Sequence, residues 1–232
     1  RSEKYCYVRF TTEEEWPRLV VTKTASSKGI TLGPIRTRGM ARDVVDAIES
    51  VVPLRRCTVR MGRNYVAPTD APVCSAARLG LAECPCSGSA DASAYGAIVD
   101  TVARTLNGDA EEVVGLLTKR MNVHSQNQRF EEAAFVRDRI DALGTVLHRQ
   151  SQANALRDGG LQEIRHEGIT YRIDQGVLVE TLSSGEPCTA VTLALPTTLE
   201  HLRAVLHVPV DESPTDILDE VMCMARLVSS LG

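Results

Sequence analysis

The stretch Cys84-Pro85-Cys86-Ser87-Gly88 marks the point at which this sequence changes character. It ends a region, residues 54–90, that has little hydrophobic periodicity and also contains Cys57 and Cys74. Such a region would fold poorly around a core of its own, and a bound metal would supply what that core lacks. Because no signal-peptide pattern opens the sequence, four clustered cysteines indicate metal ligation before disulfides. We therefore predict a metal site formed by Cys57, Cys74, Cys84 and Cys86.

Four thiolates form a complete tetrahedral ligand set for zinc, and they can also hold an iron–sulfur cluster. The four cysteines are separated by 16, 9 and 1 residues, and the tight last pair can share a site if the backbone bends there. The alternative is a loop of free thiols. A nucleophilic cysteine is disfavoured because the nearest histidine, His124, belongs to a helical segment. The other cysteines are predicted to be buried core thiols: Cys6, Cys188 and Cys223.

Before the cysteines, the sequence predicts a small segment of strands and one helix. Alternating or β-branched apolar runs indicate strands at residues 4–10, 19–23 and 30–32. A helix from about residue 38 to residue 52 follows, with Thr37 as its cap, and Pro53 ends it.

After the cysteines, apolar residues recur at helical spacing. We predict a helix over residues 92–106, a second that carries Val113 and Leu117, and a third from Phe130 to Leu147. The stretch Asp109-Ala110-Glu111-Glu112 fits a capping box at the start of the second helix. Since only a short polar break separates the last two helices, they are expected to form an antiparallel hairpin.

Beyond a linker at residues 157–160, the pattern changes again. Residues 169–173 and 177–182 indicate a β-hairpin, residues 191–195 another strand, and Ser213-Pro214-Thr215-Asp216 the start of a last helix. No tract here can be assigned to chemistry, and no catalytic residue is predicted anywhere in the chain. An enzyme site in residues 161–232 is a weaker alternative, because a lone histidine such as His166 or His201 is more often structural.

These elements together predict an α+β protein. It comprises a small N-terminal strand and helix segment, a cysteine-rich metal-site loop, a helical region with a hairpin, and a small C-terminal α/β unit. The expected boundaries are residues 1–53, 54–90, 91–150 and 161–232.

Charge is distributed unevenly along the 232 residues, whose formal net charge is −4. Residues 1–65 carry 13 Lys+Arg against 7 Asp+Glu, a net of +6, and the remainder carries 13 against 23, a net of −10. A basic first part indicates an anionic partner, although an ordinary solvated surface gives the same count. Arg36 and Arg38 also flank a helix start, where backbone N–H groups favour anions. The candidates for phosphate contacts are Lys23, Lys28, Arg36, Arg38, Arg42, Arg55, Arg56, Arg60 and Arg63.

Composition excludes several classes of function. Aromatic residues are only 4%, which argues against large stacking platforms for single-stranded nucleic acid. No apolar run approaches the roughly 20 residues that cross a bilayer, so neither a membrane protein nor a membrane partner is expected. We expect a cytoplasmic protein. Because the sequence begins with Arg1 almost on a strand, we interpret it as a fragment of a longer protein.

Three blocks of sequence occur in one order. The first runs from Tyr5-Cys6-Tyr7-Val8-Arg9-Phe10 through Trp16-Pro17-Arg18-Leu19 to Leu32-Gly33-Pro34. The second is Pro53-Leu54-Arg55-Arg56-Cys57 with the later cysteines, and the third joins Leu106-Asn107-Gly108-Asp109 to Phe130-Glu131 and Arg137-Asp138. Together, over about residues 4–147, they resemble the UvrC excinuclease family of DNA-repair nucleases.

The resemblance implies a role in nucleotide excision repair. In that family the first block follows a GIY-YIG nuclease core, whose motif this chain lacks, so the parent would be a DNA endonuclease and this chain a non-catalytic portion. It implies an iron–sulfur cluster, [4Fe–4S], at the cysteines, with zinc as the alternative. The family pattern is C-x7-C-x3-C, and Cys84 is displaced from it by two residues.

The helical hairpin resembles the family's UVR motif, which pairs with the matching motif of the damage-loading protein UvrB. The expected partner-binding residues are Phe130, Ala134, Arg137 and Ile140. An intramolecular helix pair, packed on its own domain, is the alternative. DNA binding would be independent of sequence and made through phosphates. A different class of function also remains open, because cysteine metal sites joined to UVR motifs occur in protein-interaction adaptors.

Overall fold

A computed structural model describes residues 5–68, 72–88, 90–166, 168–183, 186–187 and 221–226. The described chain divides into two compact units, one reaching Leu147 and the other starting at His148. The α+β class predicted from the sequence is confirmed, since helices and two small antiparallel sheets make up the described elements.

The first unit opens with a sheet of three strands, β1 (Cys6–Phe10), β2 (Leu19–Thr22) and β3 (Ile30–Ile35), in the order β2-β1-β3. Both outer strands pair antiparallel with β1. Gly33 is required in β3 because a side chain there would place its Cβ 2.7 Å from the Tyr7 ring. The three predicted strands are therefore present, with β3 longer than expected.

Helix α1 (Arg38–Val51) covers this sheet and contacts all three strands. Its predicted cap is confirmed, since the Thr37 hydroxyl accepts a hydrogen bond of 3.2 Å from the Met40 N–H. The face toward the sheet consists of Ala41, Val44, Ala47 and Ile48, all fully buried. The sheet and α1 thus form the apolar base of the unit.

Four further helices follow: α2 (Ser75–Arg78), α3 (Ala92–Leu106), α4 (Glu111–Gln126) and α5 (Phe130–Asp158). Helix α4 contacts α1 and α3. The apolar residues of α4 and the first part of α5 join the same core, through Val113, Leu117, Val136 and Leu143.

The predicted capping box at Asp109 is wrong. Helix α4 begins after Ala110 without a side-chain cap. Arg104 forms salt bridges with both acidic side chains instead. Its Nη1 lies 3.7 Å from Oδ2 of Asp109, and its Nη2 lies 2.7 Å from Oε2 of Glu112. Two salt bridges to one guanidinium therefore replace the reciprocal cap.

The second unit is built on a sheet in the order β4-β5-β6-β7, with β4 (Leu161–His166), β5 (Ile169–Asp174), β6 (Val177–Ser183) and β7 (Glu186–Pro187). The predicted hairpin is β5 and β6, whereas β4 was not predicted. Residues 221–226 are helical, and their Met224 and Ala225 pack with Leu156 and Ile173.

Several sequence predictions either lie on residues that the structure does not describe or differ from what it shows. The strand at residues 191–195, the helix start at Ser213 and the thiol of Cys188 lie outside the described residues. Helix α5 continues to Asp158, so the expected linker at 157–160 is partly helical. Cys6 is buried as predicted, but Cys223 is exposed and is not a core thiol. Among the described helices, none has the length and apolarity that crossing a membrane requires.

Candidate functional site

The four predicted cysteines converge in the first unit. The Sγ atoms of Cys74, Cys84 and Cys86 all lie within 4.8 Å of one another, so these three could hold a metal ion. Cys84 and Cys86 are closest, at 3.0 Å between sulfurs. The sulfur of Cys57 lies 3.5 Å from that of Cys84, which brings the fourth predicted ligand to the same place.

Local structure explains how such distant residues meet. Cys74 is the residue before α2, and its backbone N–H points at the Cys86 sulfur, 3.4 Å away. Cys84 precedes a 3₁₀ turn, Pro85–Ser87, which bends the chain so that Cys84 and Cys86 face one point. Gly88, with φ of 71°, ends that turn in the left-handed region. The bend required by the Cys-Pro-Cys spacing is therefore present.

Arg55 fixes the remaining ligand. Its guanidinium is fully buried and donates to the Cys57 sulfur and the Cys57 carbonyl, both at 3.2 Å, and to the Val59 carbonyl at 2.6 Å. It also donates to the Trp16 carbonyl at 2.9 Å and forms a 2.7 Å salt bridge with Glu14. One side chain thus ties the cysteine segment to the loop after β1.

A second connection runs through Tyr95 of α3. Its hydroxyl accepts from the Arg55 N–H at 3.1 Å and donates to the Pro17 carbonyl at 2.6 Å. The Tyr95 ring lies 4.8 Å from the Trp16 ring, between centroids, in a tilted arrangement. Burial raises the pKa of Tyr95, so this hydroxyl keeps its proton and remains a donor.

The thiols are electrostatically unequal. Burial, together with the neighbouring Cys86, raises the pKa of Cys84 well above its usual range. Partial burial also acts to raise the pKa of Cys86, but the Cys74 backbone N–H and the Cys84 thiol outweigh it and lower that pKa. A cation placed among these sulfurs would favour the thiolate form of every ligand.

The residues fit a thiolate metal centre, because the donor set is sulfur alone and N–H groups are directed at two of the sulfurs. Tetrahedral ligation of one zinc ion separates its sulfurs by about 3.8 Å. The observed separations of 3.0 and 3.5 Å lie near that value. A cubane of four irons would hold the thiolates roughly 6 Å apart, so the four cysteines would have to move outward to ligate it.

The predicted phosphate-contacting residues divide into groups. Because β2 and β3 both run antiparallel to β1, their carboxyl ends meet at one end of the sheet. Lys23 follows β2 and Arg36 follows β3, which places them about 10 Å apart, two strand spacings. Arg38 begins α1 and Arg42 lies one turn later, and all four are exposed. Lys28 lies at the opposite end of the sheet, just before β3.

We call Lys23, Arg36, Arg38 and Arg42 the basic end of the sheet. In the part of the chain that the structure describes, no carboxylate forms a salt bridge with Arg36, Arg38 or Arg42. The first turn of α1 contains no acidic residue. The exposed Asp43 is the nearest acid on the helix.

Two of the predicted phosphate contacts are placed differently. The prediction that Arg55 contacts phosphate is wrong. Its side chain is 0% exposed, and all of its guanidinium nitrogens donate hydrogen bonds within the protein. Arg56 is half-buried, and its guanidinium contacts the carbonyl and the carboxylate of Glu49. Arg60 and Arg63 are exposed.

The helical hairpin presents an uneven apolar surface. Phe130 is 66% exposed and Arg137 is also exposed, whereas Ala134 and Ile140 are half-buried. Ile140 packs against the core of the unit, so only part of it is available to a partner. Phe135, which is 66% exposed, was not predicted, because it lies off the apolar face that the helical spacing defines.

Sequence reasoning did not assign Glu14, Trp16 or Tyr95 to the site. Glu14 lies within Glu13-Glu14-Glu15, a run that is typical of a solvated loop. The signal that was available is the odd placement of Trp16, the single tryptophan, directly before Pro17 in a polar stretch. A large aromatic in such a place indicates burial and hence a packed loop.

Comparison with known proteins identifies this arrangement. Residues 5–105 match the family model described as UvrC/Cho excinuclease, middle domain, and residues 111–145 match the UvrB/uvrC motif. The first match spans the sheet, α1, the cysteine cluster and α3, and the second spans the helical hairpin. The class is therefore an excinuclease-type middle domain followed by a UVR motif.

The chain belongs to the UvrC family. It is 30% identical to "UvrABC system protein C" of Clostridioides difficile over 149 residues, 63% of this chain and 24% of that protein. It is 28% identical to the protein of that name from Leptospira biflexa over 178 residues, 76% of this chain and 28% of that protein. The chain thus spans about a quarter of the length of the curated relatives it matches. No solved structure matches it.

Proposed function

We propose that this chain is a DNA-binding and partner-binding part of a nucleotide-excision-repair endonuclease, acting in the cytoplasm. The observation that carries the proposal is the basic end of the sheet. Four exposed cations gather at the start of α1 in a domain of the UvrC family, and three of them have no salt-bridge partner among the described residues. Cleavage itself would belong to other parts of such an enzyme.

The side chains at the basic end of the sheet suit the phosphates of DNA, whatever its base sequence. Arginine guanidinium groups bind phosphate oxygens, and the free N–H groups at the start of α1 add a partial positive charge. Contacts of this kind read no bases, which matches an enzyme that must act on damage in any sequence.

The test is the salt dependence of duplex binding, measured by fluorescence anisotropy with a labelled 30-base-pair duplex. R36A/R38A is expected to weaken binding and to reduce the slope of log K against log salt by about 0.9 per lost phosphate contact. R129A/R137A is the matched control, since it removes the same charge from two exposed arginines, one directly before α5 and one in it, that already pair with Glu132 and Asp138. An unchanged slope in R36A/R38A would reject the phosphate-contact role.

We further propose that all four cysteines, including Cys57, ligate one metal centre. The resemblance to the family implies a [4Fe–4S] cluster, whereas the sulfur separations favour a single zinc ion. In either form, the metal centre would cross-link three segments that are distant in the sequence. Its role would be structural and not catalytic. Arg55 would hold Cys57 in place, and the Cys74 N–H would orient the Cys86 sulfur.

The helical hairpin is proposed to bind the matching helix pair of a UvrB-like protein. The support is the UVR match together with the exposure of Phe130, Phe135 and Arg137. Apolar side chains left exposed on a hairpin offer a contact surface to a second pair of helices. With a purified UVR peptide of that partner, F130S is expected to weaken binding about tenfold. V66S, which alters an exposed valine outside the hairpin, is the control.

A protein-interaction adaptor is the second candidate, and the combination of a cysteine cluster with a UVR motif favours it. The two candidates separate in the same experiments. An adaptor would bind the helix pair while showing no salt-dependent binding to duplex DNA.

A further inference from the structure

One short part of the chain, residues 59–81, exposes several large apolar side chains. Among the described residues, ten such side chains are exposed, and five fall between residues 59 and 81: Val59, Val66, Val73, Leu79 and Leu81. The sequence from Cys57 to Ala82 is also basic, with Arg60, Arg63 and Arg78 against the single acid Asp70. All three arginines are exposed.

Residues 79–81 form a turn that is held firmly in place. The N–H groups of Leu79, Gly80 and Leu81 donate to the carbonyls of Ser75, Ala77 and Ala76 at 3.1, 3.0 and 2.9 Å. Gly80 has φ of +66°, the left-handed conformation that ends a helix in this pattern. The turn therefore has a fixed backbone although its side chains face solvent.

Two alanines near this turn, one on each side, are turned toward the core. Ala77 packs against the core, and Ala82 is 7% exposed. Between them, Leu79 is 71% exposed and Leu81 is 49% exposed. Helix α2, which carries the turn, begins directly after Cys74, and the Arg78 N–H donates to the Cys74 carbonyl at 3.0 Å. The side chains of Leu79 and Leu81 thus project from a hydrogen-bonded turn that lies about one helical turn after Cys74 in the chain.

We propose that the 79–81 turn inserts its leucines against unstacked bases of distorted DNA. This inference rests on the proposed DNA-binding function. Apolar side chains of this size enter base steps in DNA that bends or opens, while neighbouring arginines bind the flanking phosphates. Two leucines on a narrow turn expose far less than the roughly 800 Å² that each partner of a stable protein complex buries. Residues 57–83 carry Arg60, Arg63 and Arg78 against Asp70 and Glu83, a net of +1, which suits a polyanion.

The experiment compares a 30-base-pair duplex with the same duplex containing a central unpaired bubble and 2-aminopurine beside it. The full chain is expected to prefer the bubble and to raise 2-aminopurine fluorescence as the base unstacks. L79S/L81S is expected to lower that preference about tenfold while duplex affinity stays the same. L116S/V123S, which changes two exposed apolar residues of α4, is the matched control. L79A is a second variant with a smaller expected loss, and thermal melting verifies the fold of each protein.

An unchanged preference in L79S/L81S, or an equal loss on duplex and bubble, would overturn the proposal. Weaker binding to the UVR peptide with DNA binding intact would also overturn it and assign the turn to a protein contact. Failure of the proposed function is distinguishable, because the unaltered chain would then show no salt-dependent duplex binding at all.

Discussion

The cysteine region and the helical hairpin of the first unit share one apolar core, but they differ in how much they depend on polar contacts. The hairpin is held by apolar contacts such as those of Leu117 and Leu143, which follow the helical period along the chain. The cysteine region also buries apolar residues such as Leu54 and Met61, but it adds polar contacts, namely the Arg55–Glu14 salt bridge and a cluster of sulfurs. From this difference we expect that removing one polar group, or the proposed ion, damages the cysteine region most, whereas the hairpin responds mainly to lost apolar volume.

Metal removal is expected to have the largest effect on this contrast. A chelator strong enough to remove the proposed ion should make amides of residues 72–88 exchange about ten-thousandfold faster, because the thiolates would no longer be cross-linked. Amides of α4 and α5 should keep their protection, as measured by hydrogen exchange with mass spectrometry. An equal rise in amide exchange in residues 72–88 and in α4 and α5 would contradict the expected difference between the two regions.

Replacing Arg55 is expected to have the next largest effect. R55A removes the cation that pairs with the buried Glu14 carboxylate, which keeps the hydrogen bond from the Met61 N–H at 2.8 Å. Removing one partner of a buried salt bridge typically destabilises by about 3–5 kcal/mol. Denaturant unfolding of the metal-loaded protein measures the loss.

The control for R55A is R56A, which alters a half-buried neighbour and is expected to lose less than about 1 kcal/mol. The double variant R55M/E14L should recover part of the loss, because it leaves no buried charge behind. If R55A unfolds no more easily than R56A, the buried salt bridge does not hold the cysteine region.

A cavity in the hairpin should give an effect of a different kind. L143A removes a fully buried side chain and is expected to destabilise by about 3 kcal/mol. Its metal content should remain that of the unaltered chain, since Leu143 is neither a proposed ligand nor among the groups that hydrogen-bond to the sulfurs. L116A, at an exposed position of α4, is the control. Loss of metal from L143A would show that the two regions do not respond separately.

The smallest expected effect depends on pH. Burial raises the pKa of Glu49 from 4.5 to about 7, against the opposing effect of Arg56. A carboxyl whose pKa is raised on folding contributes stability below pH 4.5, and that contribution is lost as pH rises through about 7. E49Q should therefore remove about 1–2 kcal/mol of pH dependence between those values, allowing for the exposed part of the group.

Melting temperatures of E49Q and the unaltered chain across this pH range provide the measurement. E49Q should be at least as stable as the unaltered chain at pH 8. Parallel curves would contradict the assigned pKa of Glu49.

The hairpin and the N-terminal sheet could be predicted from the sequence because their signals are local. Thr37 precedes an apolar period that α1 then follows, and a three-residue break between α4 and α5 implies a hairpin. The cysteines could be grouped because their residue type alone indicates a shared site, even though Cys57 and Cys84 are 27 positions apart.

The polar support of that site could not be predicted. Arg55 and Glu14 are 41 positions apart, and an arginine beside another arginine is typical of a basic surface. Only the folded chain shows that one of the pair is buried and the other is half-exposed. The capping box failed for a related reason, since Arg104 competes for both of its acids across the turn.

The central claim is that four cysteines from three segments form one metal centre. The most direct measurement counts iron and zinc in anaerobically purified protein, with an absorption spectrum of the same sample, for the unaltered chain and C74S. We predict stoichiometric metal, about one zinc in colourless protein or about four irons with a broad band near 400 nm, and its loss in C74S. Neither metal in the unaltered chain, or equal amounts in C74S, would contradict the claim.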